Sequence, residues 1–157
     1  MEKKVLVIGG GSGIGKQVVD DLVSEGYQVI AASRNINLDA RLEGVENQKF
    51  DATSDDELNL PDELAGLVYC PGTINLRAFN RIKLEDFKEE FEVNYFGAVK
   101  VLQQAISALV KGGGSVVFFS TVAVKTGMPF HSSIASAKGA IEGLAISLAA
   151  EYAPKVS

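Results

Sequence analysis

The sequence predicts an α/β domain with a doubly wound parallel sheet, and three observations support this prediction. Short apolar runs alternate with helical patterns five times along the chain. A glycine-rich turn joins the first apolar run to the first helix. The 157 residues are sufficient for one domain, which we expect to span residues 1–157. Strands that alternate with helices favour parallel pairing and right-handed crossovers, so helices are expected on both faces of the sheet.

The first strand, residues 5–8, is followed by a glycine-rich turn over residues 9–15 and a helix over residues 16–25. Glycine suits the turn because it tolerates positive φ, leaves room for a pyrophosphate and lets the helix pack closely on the strand. The free amides of the first helical turn then face the phosphates. This geometry predicts a dinucleotide site of the Rossmann type, with contacts from Gly9, Ser12, Gly13, Ile14 and Gly15.

Two alternative interpretations of this turn remain open. Residues 10–16 nearly spell a P-loop, but Gln17 stands where a Ser or Thr would hold Mg²⁺. The turn could also serve only to pack the helix on the strand. No metal site is predicted elsewhere in the chain.

The second strand, residues 27–32, ends at Ser33 and Arg34, which a dinucleotide fold places near the adenosine ribose. An acidic residue there accepts from the 2′-hydroxyl of NAD, whereas arginine suits the 2′-phosphate of NADP. The absence of an acid before Asp39 therefore favours NADP, with NAD as the weaker alternative. Arg34 as a solvated loop charge is the competing interpretation.

Two further strands bring polar and small residues to the same edge. Residues 46–50 lead to Asp51, which is predicted either to accept from the adenine amino group or to cap the following turn. Residues 65–70 end in Cys70, predicted to be a small core residue, and Gly72 follows, near the ribose of a bound coenzyme. The connection over residues 36–45 is predicted as a short helix or an irregular segment.

The second half of the chain predicts two long helices around a fifth strand. A helix over residues 84–110 contains Asn94, and its predicted apolar face consists of Phe87, Phe91, Val99, Leu102 and Ile106. Residues 115–120 form a strand that is apolar on both faces, as in a covered parallel sheet. The last helix covers residues 132–152 and ends before Pro154.

Composition excludes several classes of partner. A net charge of −5 argues against a nucleic-acid or anionic-membrane surface. No apolar segment approaches the ~18 residues that would cross a bilayer. One cysteine suits a reducing compartment, and the chain enters its first strand without a signal-peptide pattern. We therefore expect a cytoplasmic protein.

At this point the chain resembles the short-chain dehydrogenase/reductase family. The glycine pattern of residues 9–15, the position of Asp51, the helical Asn94 and the stretch 135–140 around Lys138 match the family in order. The resemblance covers the whole chain and is nearest to 3-oxoacyl-carrier-protein reductases. It implies an NADP(H)-dependent oxidoreductase that acts on a carbonyl/alcohol pair, takes a small-molecule carbonyl or acyl substrate and forms homo-oligomers.

The resemblance also implies catalytic roles, and one residue departs from the pattern. Asn94, Thr121 and Lys138 match the asparagine, serine and lysine of the family, and Lys138 would also grip the nicotinamide ribose. The catalytic tyrosine, four residues before the lysine, is replaced by Ile134, which neither donates nor accepts a proton. A reductase of altered mechanism would take the proton from Lys138, from a lysine-bound water or from His131.

Two other interpretations remain beside an altered reductase. The chain could be a catalytically weak or inactive dinucleotide-binding protein with a sensor or partner role. It could also be a fragment, since the family continues with two more strands. On that view the sheet is truncated after the fifth strand and its following helix, and another chain or segment covers the fifth strand.

Overall fold

The computed structural model describes residues 3–37 and 42–157, so the predicted connection over residues 36–45 lies partly outside the described residues. Five parallel strands form one sheet in the order β3-β2-β1-β4-β5. The strands are β1 (Lys4–Ile8), β2 (Gln28–Ser33), β3 (Val45–Lys49), β4 (Gly66–Tyr69) and β5 (Ser115–Phe118). The strand order reverses between β1 and β4, where open parallel sheets have a crevice at the carboxyl ends of their strands. The predicted Rossmann-like α/β fold is confirmed.

The helices occupy the predicted places, with one addition. They are α1 (Gly13–Ser24), α2 (Leu84–Phe91), α3 (Gly97–Gly112), α4 (Ala123–Thr126) and α5 (Ser132–Tyr152). The short α4 falls between the predicted fifth strand and the predicted last helix, where the sequence analysis gave no helix, because one helical turn leaves no apolar periodicity to detect. None of the helices in the described ranges combines the length and the apolarity needed to span a membrane.

Successive side chains of the central strand β1 point to opposite faces of the sheet, so the core has two layers. Leu6 and Ile8 pack in the layer that also contains Leu102 and Ile141 of α3 and α5. Val5 and Val7 face the other way, into the layer that contains Val19 of α1. Because both faces of the sheet are covered, its central strands are continuous apolar runs. This arrangement leaves the ends of the strands free to carry polar groups.

The fifth strand is the edge of the sheet over most of its length. The Val117 side chain is 46% exposed, so the prediction of a strand covered on both faces is wrong for this residue. The Val116 amide donates to the Ser157 carbonyl at 2.7 Å, and the Ser157 amide donates to the Gly114 carbonyl at 3.2 Å. Pairing with Ser157 therefore protects only the start of β5.

The helix predicted over residues 84–110 is interrupted by a π-helical turn, Glu92–Phe96, that joins α2 to α3. A π turn inserts one extra residue and rotates the face that follows. The predicted apolar face is correct in part, since Leu102 is buried and Ile106 packs half-buried against the core. Its other three residues, Phe87, Phe91 and Val99, do not belong to the core. The residues that α3 buries are mostly small, and they are Gly97, Ala98, Val101, Leu102, Ala105, Ala108 and Leu109.

Candidate functional site

A cleft of about 350 Å³ opens at the carboxyl ends of β1, β2 and β4, where the strand order reverses. Every residue predicted to contact a nucleotide, except Lys138, lines this cleft. Its walls are Ile8, Gly9, Ser12, Gly13, Ile14, Gly15, Ser33, Arg34, Asn35, Phe50, Asp51, Ala52, Thr53, Cys70, Pro71, Gly72, Thr73 and Val93. The fold thus brings together segments that are up to 85 residues apart in sequence, from Ile8 to Val93, as the parallel topology requires.

The glycines of the turn after β1 have the properties that the sequence predicted for them. Gly9 has a φ of +80°, which the strand-to-helix turn requires and which other residues rarely adopt. A Cβ on Gly13 would meet no atom within 4 Å, so the space beside this residue is open toward the cleft. A Cβ on Gly15 would lie well within 3.0 Å of the Gly9 carbonyl oxygen. Glycine at position 15 therefore lets α1 begin directly against the turn.

The amino end of α1 carries unsatisfied donors that point to the cleft. The first α1 amide with a hydrogen bond is that of Lys16, which donates to the Ser12 carbonyl at 3.1 Å, and the Ser12 side chain caps nothing. Within residues 3–37 and 42–157, the amides of Gly13, Ile14 and Gly15 have no acceptor. Such a helix end, with its partial positive charge, is suited to bind an anion.

We expect Gly15→Ala to weaken folding and NADPH binding together. The added methyl group would strike the Gly9 carbonyl, and overpacking of this kind typically costs ~1–3 kcal/mol. A matched control is Gly112→Ala at the far end of α3, whose Cβ would strike the Leu64 carbonyl. Urea denaturation should show a loss in both variants, and NADPH titration should show weaker binding only in Gly15→Ala. Equal NADPH affinities in the two folded variants would contradict the assigned role of the turn.

The end of β2 meets the first half of the glycine turn. A Cβ on Gly11 would lie 2.5 Å from the Ser33 hydroxyl, so a larger residue there would require this hydroxyl to rotate away. The sequence prediction gave Gly11 no role, because its partner is 22 residues away in sequence. Arg34 is exposed at the same wall of the cleft. The end of the second strand is where a fold of this type receives the adenosine ribose of a dinucleotide.

Asp51 has the second of its two predicted roles, the capping of a turn. Its Oδ1 accepts from the Thr53 amide at 2.9 Å and from the Thr53 hydroxyl at 2.8 Å. These hydrogen bonds lower the pKa of the Asp51 carboxyl below its usual value of 3.8, which keeps it ionised near neutral pH. The capped turn still forms a wall of the cleft, so Asp51 remains available to a ligand there.

Asn94 and Lys138 converge next to Gly72, which lines the cleft. From the position that a Cβ of Gly72 would take, Asn94 Oδ1 is 3.1 Å away and Lys138 Nζ is 3.7 Å away. Asn94 is fully buried and donates through Nδ2 to the Glu90 carbonyl at 3.0 Å and to the Thr73 hydroxyl at 3.2 Å. Its Oδ1 is buried and accepts no hydrogen bond within the described residues.

Lys138 is half-buried and forms no ion pair or hydrogen bond within the part of the chain that the structure describes. Burial lowers the pKa of its ammonium below 10.5, an effect that the nearby Cys70 partly offsets. A partly desolvated cation without a counter-charge is costly. A polar or anionic ligand group beside Lys138 would therefore be stabilised by this ammonium.

Glu90 is a buried residue of this site that the sequence prediction missed. Its carboxylate accepts a hydrogen bond from the Asn75 amide, and it lies one helical turn before Asn94. Together Glu90 and Asn94 hold the loop that follows β4, at Asn75 and at Thr73. The available signal was a glutamate at helical spacing from Asn94, but a charged residue in a helix is more often exposed.

Thr121 precedes α4, and His131 and Ile134 lie at the start of α5. None of the three is among the residues that line the cleft. The Thr121 hydroxyl accepts from the Ala123 amide at 3.3 Å and thereby helps to begin α4. His131 Nδ1 lies 2.7 Å from the Pro129 carbonyl, which can only accept, so Nδ1 is the donor of this hydrogen bond. Ile134 is 4% exposed and packs as a core residue.

Cys70 is half-buried and borders the cleft, so its prediction as a core residue is correct only in part. Burial raises the pKa of its thiol to about 11, an effect that Lys138 partly offsets. At neutral pH the side chain is therefore a neutral thiol, which lacks the thiolate character of a nucleophile.

Comparisons with known proteins agree with this architecture. The model of the short chain dehydrogenase family matches residues 3–157. The chain is 28% identical to a 2,5-dichloro-2,5-cyclohexadiene-1,4-diol dehydrogenase of Sphingobium indicum, over 96% of this chain and 66% of that protein. It is 29% identical to an NADPH-dependent 1-acyldihydroxyacetone phosphate reductase of Saccharomyces cerevisiae, over 97% of this chain and 57% of that protein.

A solved structure is similar over the full length of this chain. The short-chain dehydrogenase from Streptomyces avermitilis superposes with a TM-score of 0.90 at 26% identity, and the match covers 100% of this chain and 63% of that one. The chain therefore spans about two thirds or less of the length of these relatives.

Proposed function

Because the chain belongs to the short-chain dehydrogenase family, we propose that it binds NADP(H) and interconverts a carbonyl compound and its alcohol. One observation carries this proposal. The unpartnered amides at the start of α1 line the cleft, and Asn94 and Lys138 converge at Gly72, which lines the same cleft. The first of these features suits a diphosphate, and the second suits a ribose and a reacting oxygen.

The residues present fit the coenzyme. The amides of Gly13, Ile14 and Gly15 offer donors to the diphosphate, and the open space at Gly13 admits it closely. Arg34 would bind the 2′-phosphate of NADP beside Ser33. Lys138 would bind the nicotinamide ribose, which would provide the polar partner that this half-buried ammonium lacks.

In the proposed reaction, NADPH supplies a hydride to the carbonyl carbon of the substrate. The Lys138 ammonium is the proton source, directly or through water held with Asn94, and its lowered pKa makes proton release easier. The Thr121 hydroxyl orients the carbonyl oxygen. His131 is a second candidate donor, which would give the Nε2 proton of an imidazolium while Nδ1 still donates to the Pro129 carbonyl.

Arg34→Gln should reduce affinity for NADPH by roughly 10- to 100-fold, since hydrogen bonds to charged groups contribute about 1.5–3 kcal/mol. Affinity for NADH should change little, because NADH lacks the 2′-phosphate. The matched control is Lys111→Gln, which removes an exposed cation at the opposite end of the sheet. Fluorescence titration of both coenzymes measures the effect. A parallel loss for NADPH and NADH would contradict selection of the phosphate by Arg34.

Two measurements on the 157-residue chain test the proposed function. NADPH fluorescence tests coenzyme binding, and consumption of NADPH with small ketones and 3-oxoacyl thioesters tests the chemistry. No binding of either nicotinamide coenzyme would overturn the proposal. Binding without turnover across the panel would instead support the dinucleotide-binding protein of sensor or partner type.

We also propose that the chain assembles into homo-oligomers in a reducing, cytoplasmic environment. Phe96 at the start of α3 and Ile146 on α5 are large apolar side chains that remain exposed, and both helices flank the same face of the sheet. Light scattering tests the assembly. A monomer across the micromolar range would contradict it.

A further inference from the structure

We propose that two loops beside the cleft form a binding surface for an amphiphilic anion, meaning an aliphatic chain that carries a carboxylate or phosphate. This surface, the mouth surface, consists of Ile74, Leu76, Phe79, Met128 and Phe130 together with Arg77 and Arg81. The inference rests on the proposed function, because it assigns a chemical class to the substrate of the same site.

Exposed apolar side chains are concentrated in these two loops. The five apolar residues of the mouth surface are 45–75% exposed, and Phe79 is the most exposed of them. Scattered single apolar residues are normal on a protein surface, whereas a group of large ones on neighbouring segments marks a binding site. The edge-to-face contact between Phe79 and Phe87 holds the Phe79 ring in place while leaving most of it accessible.

The position of the loops links the mouth surface to the cleft. The first loop leaves the cleft at Gly72 and is held by Asn94 at Thr73 and by Glu90 at Asn75. The second loop leads into α5, which carries Lys138. The Arg77 amide donates to the Phe130 carbonyl at 3.2 Å and joins the two loops. A chain lying on these loops would therefore extend from the region where Asn94 and Lys138 converge.

Phe130 is held in an unusual conformation at this surface. Its φ is +68°, the only positive φ of a non-glycine residue in residues 3–37 and 42–157. A bulky residue in this region is strained, and such strain is commonly found at ligand sites. The aromatic side chain is also 59% exposed rather than packed in the core. The conformation thus presents an apolar ring to solvent at a cost in backbone energy.

The charges at the mouth surface specify an anion. Residues 76–83 contain Arg77, Arg81 and Lys83 and no acidic residue, although the whole chain has a net charge of −5. Neither arginine forms an ion pair within the part of the chain that the structure describes. Apolar side chains next to free guanidinium groups complement an aliphatic chain with an anionic group. The acidic charge elsewhere disfavours an anionic membrane as the occupant.

Binding of simple probes tests the mouth surface without requiring turnover. Hexanoate, octanoate and decanoate are titrated by calorimetry into the 157-residue chain with NADPH present, below their micellar concentrations. Each added methylene should tighten the dissociation constant by roughly two- to fourfold, as partial to full burial of a CH₂ group predicts. Neutral decyl maltoside should bind more weakly than decanoate. No dependence on chain length, or equal binding of the neutral probe, would overturn the proposal.

Variants separate the apolar and charged contributions. The double variant Arg77→Gln with Arg81→Gln should weaken decanoate binding by about tenfold or more and leave decyl maltoside unchanged. Leu76→Ala with Phe79→Ala should weaken both probes. The matched controls are Lys111→Gln and Leu42→Ala, which alter an exposed cation and an exposed apolar residue outside the two loops. A similar loss in the controls would show nonspecific binding and overturn the proposal.

The Phe130→Gly variant distinguishes binding from folding. Glycine removes the strain at positive φ, so the thermal midpoint should not fall, whereas decanoate affinity should fall severalfold. A lower midpoint with unchanged affinity would overturn the role of Phe130. This variant also keeps the test meaningful if the double variants fold poorly.

Parallel measurements distinguish this proposal from the proposed function and from other occupants. NADPH binding without saturable decanoate binding would overturn the mouth surface and leave the coenzyme assignment intact. Saturable decanoate binding with no affinity for either nicotinamide coenzyme would support the surface and overturn the coenzyme assignment. Cosedimentation with phosphatidylglycerol vesicles alone, or conversion of an oligomer to monomers by Phe79→Ala, would assign the surface to a membrane or to a second copy and overturn the proposal.

Discussion

Replacing Ile134 by tyrosine is expected to raise the rate of NADPH-dependent ketone reduction by about 10²–10⁴-fold, the usual contribution of a positioned general acid. Ile134 lies one helical turn before Lys138 on α5, so a phenol there would stand on the same helical face as the ammonium. The nearby positive charge would lower the pKa of such a phenol and favour proton exchange. The measurement is steady-state NADPH consumption with the ketone and thioester panel.

The control for this gain is Ile134→Phe. Ile134 is buried, so both aromatic variants must accommodate a larger ring, at a typical cost of ~1–3 kcal/mol. Only the tyrosine adds a hydroxyl group. If Ile134→Tyr folds and binds NADPH but is no faster than Ile134→Phe, the missing phenol is not what limits catalysis.

Lys138→Met is expected to reduce turnover by about 10²-fold or more, because it removes the proposed proton source and a ligand of the nicotinamide ribose. The free energy of unfolding should instead increase. The lowered pKa of Lys138 means that its charged form is disfavoured in the native protein, and methionine removes this cost. The gain at pH 7 should be below about 1 kcal/mol, since the ammonium is only partly buried and is screened by solvent.

The lowered pKa of Lys138 also makes the stability of the native protein depend on pH. Between the lowered pKa of the folded state and 10.5, the unfolded chain binds more protons than the folded chain, so native stability rises with pH in this window. The stability advantage of Lys138→Met should therefore be complete below the folded pKa and shrink toward pH 10.5. In the wild type, reductase activity that depends on the ammonium should decline before pH 10.5 is reached.

Urea denaturation at pH 7 and near pH 10 measures the stability difference, and the matched control is Lys125→Met, an exposed lysine of α4. The control should change neither turnover nor the pH dependence of unfolding. If the difference in unfolding free energy between Lys138→Met and wild type is the same at pH 7 and near pH 10, the burial of the Lys138 charge is contradicted.

Much of the fold was predictable because the signals are local. The apolar run of β1, the glycines of the turn and the helical pattern of α1 are contiguous, and each follows from backbone sterics or from the alternation of buried faces. Gly15 illustrates this, since only glycine fits where the helix begins against the Gly9 carbonyl. The parallel order of the strands then placed Arg34, Asp51 and Gly72 at one cleft.

The π turn at Glu92–Phe96 was not predictable from a single sequence. It depends on a contact between distant segments, in which the buried Tyr69 hydroxyl donates to the Val93 carbonyl at 2.6 Å. A hydrogen bond from outside the helix competes with the regular i to i−4 pattern and stabilises the extra residue. The buried face of α3 changed accordingly, and small residues rather than aromatic ones pack against the sheet.

By itself, the sequence determined the layered α/β architecture, the glycine turn and the loss of the phenol at Ile134, because each depends on residue type and on neighbours along the chain. Only the tertiary structure decided that Asn94 and Lys138 meet beside Gly72, that Glu90 is buried and holds the loop after β4, and that Phe130 turns outward next to Arg77. These arrangements arise from packing between segments far apart in sequence. Their energies depend on distance and burial, which have no counterpart in local sequence pattern.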